Sequence, residues 1–187
     1  LDGIVESKKE KFVVIGVSGI GYKVFVSGDT LAKLPEAGEK TKVFTHQHVR
    51  EDAVDLYGFL NATELVFFES LISISGVGPK MALSILAVSP VKMLASAIVA
   101  GDFTFLTRVS GVGRKTAEKI VIEMKDRIQK LGIEFEEMKA GDNEVLEALE
   151  SLGYSMREAQ GALRNIPKDL QGVENRIREA LKTLGKS

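Results

Sequence analysis

Between Leu71 and Val121 the chain writes one pattern twice, at a constant offset of 35 residues. The first copy reads Leu71-Ile72-Ser73-Ile74-Ser75-Gly76-Val77-Gly78-Pro79-Lys80-Met81-Ala82-Leu83-Ser84-Ile85-Leu86. The second reads Leu106-Thr107-Arg108-Val109-Ser110-Gly111-Val112-Gly113-Arg114-Lys115-Thr116-Ala117-Glu118-Lys119-Ile120-Val121. Apolar residues recur at matching places, both glycine pairs recur, and so do Ser75/Ser110, Lys80/Lys115 and Ala82/Ala117. A lone Gly-x-Gly before a helix is an ordinary turn. A whole pattern repeated at fixed spacing is a unit of structure used twice.

Each copy has a physical reading. Apolar residues at helical spacing run into Gly-Val-Gly, and a second helix opens directly after it. The glycines allow positive φ and close approach of the backbone to another molecule. The middle valine can plug the turn, and Ala82 or Ala117 lets the two helices pack closely. The first turn of the second helix presents unpaired N–H groups at the positive end of its dipole. A phosphate fits there, with Lys80 or Lys115 beside it. The pattern is a helix–hairpin–helix, a grip on a nucleic-acid backbone that is blind to sequence. The expected contact residues are Gly76, Val77, Gly78 and Lys80 in the first copy. In the second they are Gly111, Val112, Gly113, Arg114, Lys115 and Thr116. Gly113-Arg114-Lys115-Thr116 is not a nucleotide-binding loop: that loop needs Lys directly after its last glycine. No ATP site, catalytic residue or cofactor site is expected.

The charge distribution agrees. The chain of 187 residues has a net charge of −1, which excludes a uniformly basic coat for DNA. Residues 61–131 nevertheless hold 9 basic and 6 acidic side chains, a local excess of +3 over the repeated pattern. Local phosphate contacts suit that balance better than a broad electrostatic footprint. Cysteine is absent, so thiolate metal sites and disulfides are excluded, in keeping with a reducing, cytoplasmic setting. The most apolar stretch, Met81 to Val99, is broken by Pro90 and Lys92 and is no membrane span.

Residues 1–60 read as β structure. Phe12 to Val17 is a β-branched run, Ser18-Gly19 has turn character, and Tyr22, Val24 and Val26 alternate with Lys23 and Phe25. A short helical piece precedes Pro35, and strands follow at Lys40 to Val49 and Ala53 to Phe59. About five short strands suit a small barrel of the OB type. Arg50-Glu51-Asp52 reads, by itself, as a solvated tip between two strands. His46 and His48 share a strand face, but two histidines without further ligands fall short of a metal site.

From Asn61 the period turns helical. Asn61 with Glu64 makes an N-cap pair, and Ser89-Pro90 starts a helix with Pro at its first position. Asp102 caps a short helix before the second hairpin, and a long helix follows Gly113 as far as about Leu131. On that helix Lys119, Lys125 and Arg127 read as solubilising charges. Residues 132–141, with Glu134, Glu136 and Glu137, read as an acidic linker. Residues 142–187 read as three amphipathic helices, the first stopping at Gly153, the second opening with a capping box at Ser155 and Glu158, the third ending at Gly185. So short a module buries little core and reads as a docking domain. The expected class is therefore multidomain α+β: barrel 1–60, tandem helix–hairpin–helix 61–131, linker 132–141, three-helix module 142–187.

That order, with Thr45 to Phe59 (THQHVREDAVDLYGF), Gly76 to Ala82 (GVGPKMA), Gly111 to Arg127 (GVGRKTAEKIVIEMKDR) and Ala148 to Tyr154 (ALESLGY), resembles the RuvA family of Holliday-junction recognition subunits. The resemblance covers essentially the whole chain. Its hairpins alone would suggest only a generic helix–hairpin–helix protein. The resemblance implies a homotetramer, or two face to face, that holds a four-way DNA junction open and planar in recombination and repair. It implies that Glu51 and Asp52 form an acidic pin at the crossover, that 142–187 docks the hexameric ATPase RuvB, and that the resolvase RuvC shares the junction. The competing readings are a generic DNA-repair binder, a glycosylase of the helix–hairpin–helix class, for which Asp126 is the nearest candidate but lacks a second supporting group, or a protein whose hairpins are purely structural and whose C-terminal module is a scaffold.

Overall fold

A computed structural model describes residues 1–133, 135, 141–167 and 170–185, with the side chains of Asn143, Met156 and Arg157 set aside. Residues 134 and 136–140, which include most of the acidic linker, lie outside the described residues. The chain divides into two compact units, Leu1–Glu136 and Glu137–Ser187.

The first unit begins with six strands: β1 Asp2–Lys9, β2 Phe12–Val17, β3 Ile20–Phe25, β4 Lys40–Lys42, β5 Phe44–Val49 and β6 Val54–Phe59. Their spatial order is β4-β1-β2-β3-β6-β5, antiparallel except for β3 against β6. The sheet curls into a half-barrel whose two outer strands, β4 and β5, are not hydrogen-bonded to each other. The sixth strand comes from the N-terminal segment. β1 pairs with β2 along its length and with the short β4 over Asp2 to Ile4. Val17 pairs with Ile20, so β2 and β3 are joined by two residues, Ser18 and Gly19, both at positive φ. That turn matches the right-handed twist of the strands it connects. Between β3 and β4 lies α1, Gly28–Lys33, started by Ser27, whose hydroxyl accepts the Thr30 N–H. Val5, Val13, Ile15, Val24, Val26, Leu34 and Val43 fill the hollow of the sheet.

The period changes where Asn61 accepts the Glu64 N–H and the Glu64 carboxylate accepts the Leu60 N–H in return. That cap opens α2, Ala62–Ile72, followed by α3 Pro79–Val88, α4 Val91–Ala100, α5 Thr104–Thr107 and α6 Arg114–Lys130. Pro90 is the N-cap of α4 rather than its first helical residue. Its carbonyl accepts the N–H groups of Met93 and Leu94. Sheet and helices are not insulated from each other. Tyr57 and Phe59 of β6 join Phe67, Phe68 and Leu71 of α2 in one buried cluster that extends through all five helices. Phe68 lies at the corner, its ring 4.8 Å from Phe59 and 5.4 Å from Tyr57.

The second unit holds α7 Asp142–Ser151, α8 Met156–Arg164 and α9 Val173–Leu184 around Val145, Leu146, Leu149, Ala159, Ala162, Ile166 and Ala180. The capping box of Ser155 and Glu158 is formed, and Gly153 at φ 95° turns the chain after α7. Buried Arg176 on α9 pairs with buried Asp142 at the start of α7. Among the described residues no single helix is long and apolar enough to cross a membrane.

Candidate nucleic-acid interface

The two copies fold alike because their matched apolar residues share one core. Leu71 and Leu106, Ile74 and Val109, Ala82 and Ala117, and Ile85 and Ile120 are all buried in the same cluster. Val77 and Val112 sit at the turns, each 5% exposed. The amide of each valine donates to the residue three before it, Val77 to Ile74 O and Val112 to Val109 O, both at 3.0 Å. The turn is thus closed from inside by its own backbone and plugged by its middle side chain.

The paired glycines do different work. Gly76 and Gly111 lie at φ 93° and 87°, the left-handed region that a side chain disfavours. Gly78 and Gly113 have ordinary φ of −87° and −79°, and each serves as the N-cap of the following helix without a side-chain cap. A Cβ built on either would meet nothing within 4 Å. The positive φ expected of both glycines belongs only to the first of each pair; the second keeps the helix start bare. The backbone at each helix start therefore faces outward, with Lys80 exposed beside one and Lys115 beside the other.

The two helix starts are not equivalent. Pro79 has no N–H, so α3 offers the amides of Lys80 and Met81 before Ala82 bonds back to Gly78 O. α6 offers those of Arg114, Lys115 and Thr116 before Ala117 bonds back to Gly113 O. Arg114 is held in place: its Nε donates to Glu118 Oε1 at 2.9 Å and its guanidinium lies 5.5 Å from the Phe103 ring. The N-cap of α5 is Phe103 rather than Asp102, which stands one residue earlier and accepts the Thr104 N–H at 2.8 Å; α5 leads into the second turn.

Glu51 and Asp52 occupy a separate projection. Val49 pairs with Val54, and the Arg50 N–H donates to Ala53 O at 2.8 Å, closing a four-residue tip. Both carboxylates are exposed at its end. Below them Arg50 pairs with Asp55 at 3.2 Å. Further down β6, burial pushes the Tyr57 hydroxyl above its usual range; the Asp55 charge adds to that and Arg50 opposes it. His46 does not gather ligands with His48: its Nδ1 meets Glu69 Oε1 at 3.0 Å, and its ring lies 5.5 Å from Phe68. Among the described residues no group of three metal-ligating side chains comes together.

Two half-exposed charges that read as solubilising are engaged by the first hairpin and the end of α2. Lys119 Nζ donates to Ser75 O at 2.9 Å, and Arg127 Nη1 donates to Ser70 O at 2.8 Å and to the Ser73 hydroxyl. These partners are 44 to 57 residues away in sequence, so no local pattern signals them.

Three family models match successive parts of the chain. RuvA N terminal domain covers residues 1–58, SAM-like Helix-hairpin-helix tandem 68–126 and RuvA, C-terminal domain 142–185. Relatives named Holliday junction branch migration complex subunit RuvA align along nearly the whole chain. The protein of Thermoanaerobacter sp. (strain X514) is 47% identical over 184 residues, 98% of this chain and 97% of its own. That of Clostridium perfringens (strain 13 / Type A) is 41% identical over 194 residues, 97% of this chain and 96% of its own. That of Dehalococcoides mccartyi (strain CBDB1) is 39% identical over 186 residues, 97% and 95% respectively. With its half-barrel, its paired hairpins on one core and its three-helix unit matched in order, the chain belongs to the RuvA family.

Proposed function

We propose that this protein binds four-way DNA junctions and serves as the non-catalytic, DNA-holding subunit of a branch-migration complex. The observation that carries the reading is the pair of bare helix starts, each with an exposed lysine, presented from one shared core. Such a pair grips phosphates and reads no bases. The residues in contact with DNA are Gly76, Val77, Gly78 and Lys80, with Gly111, Val112, Gly113, Arg114, Lys115 and Thr116. Glu51 and Asp52 act at the crossover, where their charges repel phosphates and favour strand separation. The working divisions are 1–60 for the pin-bearing half-barrel, 61–131 for the grip, 132–141 for the linker and 142–187 for the docking of a RuvB-type hexameric ATPase. Four copies, one per junction arm, complete the assembly, and a RuvC-type resolvase shares the open junction.

The test is a titration of a four-way junction against linear duplex of equal length. The reading requires clear preference for the junction, a fourfold assembly in solution and no strand or base cleavage. Equal affinity for both DNAs would reduce the protein to a general backbone binder, and base excision would make it an enzyme.

A further inference from the structure

α6 opens at the second hairpin, yet its middle reaches the first. Lys119 holds the carbonyl of Ser75, the residue before Gly76, and Arg127 holds the carbonyl of Ser70 and the hydroxyl of Ser73 at the end of α2. Glu123 stands between the two cations, 3.9 Å from Lys119 and 3.2 Å from Arg127. The three lie at successive i,i+4 positions, so they share one stripe of the helix. The Ser70 carbonyl is among those left over where α2 stops, where a cation is a favoured partner; the Ser75 carbonyl lies in the turn beyond it. A trans peptide fixes its C=O and the following N–H antiparallel. Holding Ser75 O therefore also sets the direction of the Gly76 N–H at the mouth of the first turn.

We propose that Lys119, Glu123 and Arg127 are positioning residues: a brace by which the helix of the second hairpin sets the backbone of the first against it. The two grips then meet a DNA backbone at a fixed separation instead of as two independent clips. The proposal rests on the reading that both hairpins hold DNA. It differs from a direct phosphate contact by Lys119, and the sign of one substitution separates the two. Glu123→Met keeps helix propensity and side-chain length while removing the anion. Bare electrostatics makes that variant bind DNA more tightly, since one repelling charge is gone. The brace makes it bind more weakly, because Lys119 and Arg127 lose the group that aligns them.

The experiment compares the wild-type chain with Glu123→Met and Arg127→Met. It measures junction affinity, the salt dependence of binding, and amide hydrogen exchange without DNA. Val77 N–H reports on the first turn, and the equivalent Val112 N–H, closed by the same type of bond, is the internal control. The expected result for both variants is affinity lower by about fivefold, within the range for network residues. Val77 exchange should accelerate severalfold while Val112 exchange and the Glu123→Met salt slope stay unchanged. Val77 exchange accelerated by the variants no more than Val112 exchange, or tighter binding by Glu123→Met, overturns the brace. Lys80→Glu is run alongside. If it leaves DNA binding unchanged, the grip reading fails, while the exchange comparison still decides whether the brace exists.

Discussion

At the scale of the residue, the glycine pairs separate folding from binding. Gly76→Ala or Gly111→Ala forces a side chain into positive φ and should destabilise the protein by about 1 kcal/mol or more, measured by urea unfolding. Gly78→Ala and Gly113→Ala meet open space at ordinary φ and should leave the unfolding midpoint nearly unchanged. On the proposed grip their new methyl stands where a phosphate approaches, so duplex and junction affinity should both fall. Normal affinity in the Gly78 variant would place DNA elsewhere. Lys80→Glu or Lys115→Glu should weaken binding to both DNAs, and loss of one phosphate contact should lower the salt slope by roughly 1. The two hairpins were legible as structure because a Gly-x-Gly before a helix, ordinary when alone, was repeated with its whole flanking pattern. It did not separate the duties of the two glycines, since φ follows from how each turn closes. Lys119 and Arg127 were illegible for a different reason: their partners are distant in sequence, and a charged helix face looks the same whether it faces water or a carbonyl. The role proposed for Glu51 and Asp52 rests on resemblance alone, because an acidic turn is chemically indistinguishable from any solvated tip.

At the scale of the element, the corner between β6 and α2 carries the most packing. Phe68 is fully buried against Phe59, Tyr57 and His46. Phe68→Ala should cost about 3–5 kcal/mol in denaturant unfolding, a loss felt by β6 as well as the helices because Tyr57 and Phe59 belong to the helical cluster. The sequence marked the change of period at Asn61 and its cap, and missed that the two periods bury into each other. At the pin, Glu51→Gln with Asp52→Asn should leave duplex binding unchanged or tighter and lower the junction-to-duplex affinity ratio. A constant ratio would return the tip to an ordinary turn. In the second unit the Ser155 hydroxyl, and then its backbone N–H, hold the Glu158 carboxyl below the ordinary glutamate range. A depressed folded-state value contributes stability above the unfolded value, about 4.3, and that contribution is lost as pH falls through the folded one. Ser155→Ala should bring the Glu158 titration back toward its ordinary position, followed through its side-chain carboxyl carbon by NMR.

At the scale of the whole molecule, the division after Glu136 makes the most direct prediction. A chain ending at Gly141 keeps the first unit whole, so it should bind a four-way junction with nearly full affinity. It should fail to support ATP-driven junction migration by an intact motor; full rates there would place docking outside 142–187. Leu152, 60% exposed after α7, shows apolar surface that this small unit does not bury, and its removal should leave the first unit's unfolding unchanged. The architecture also has a mechanical side. β6 descends from the acidic tip over six residues, about 20 Å at ~3.3 Å per residue, and only Leu60 and Asn61 separate it from α2. Tyr57 and Phe59 seat its lower end on Phe68, so the strand that carries the tip is anchored at its base. On the proposed reading, a strand of DNA pressed against the carboxylates pushes on a post rooted in the same buried cluster as the two hairpins, and the reaction force returns to the DNA itself.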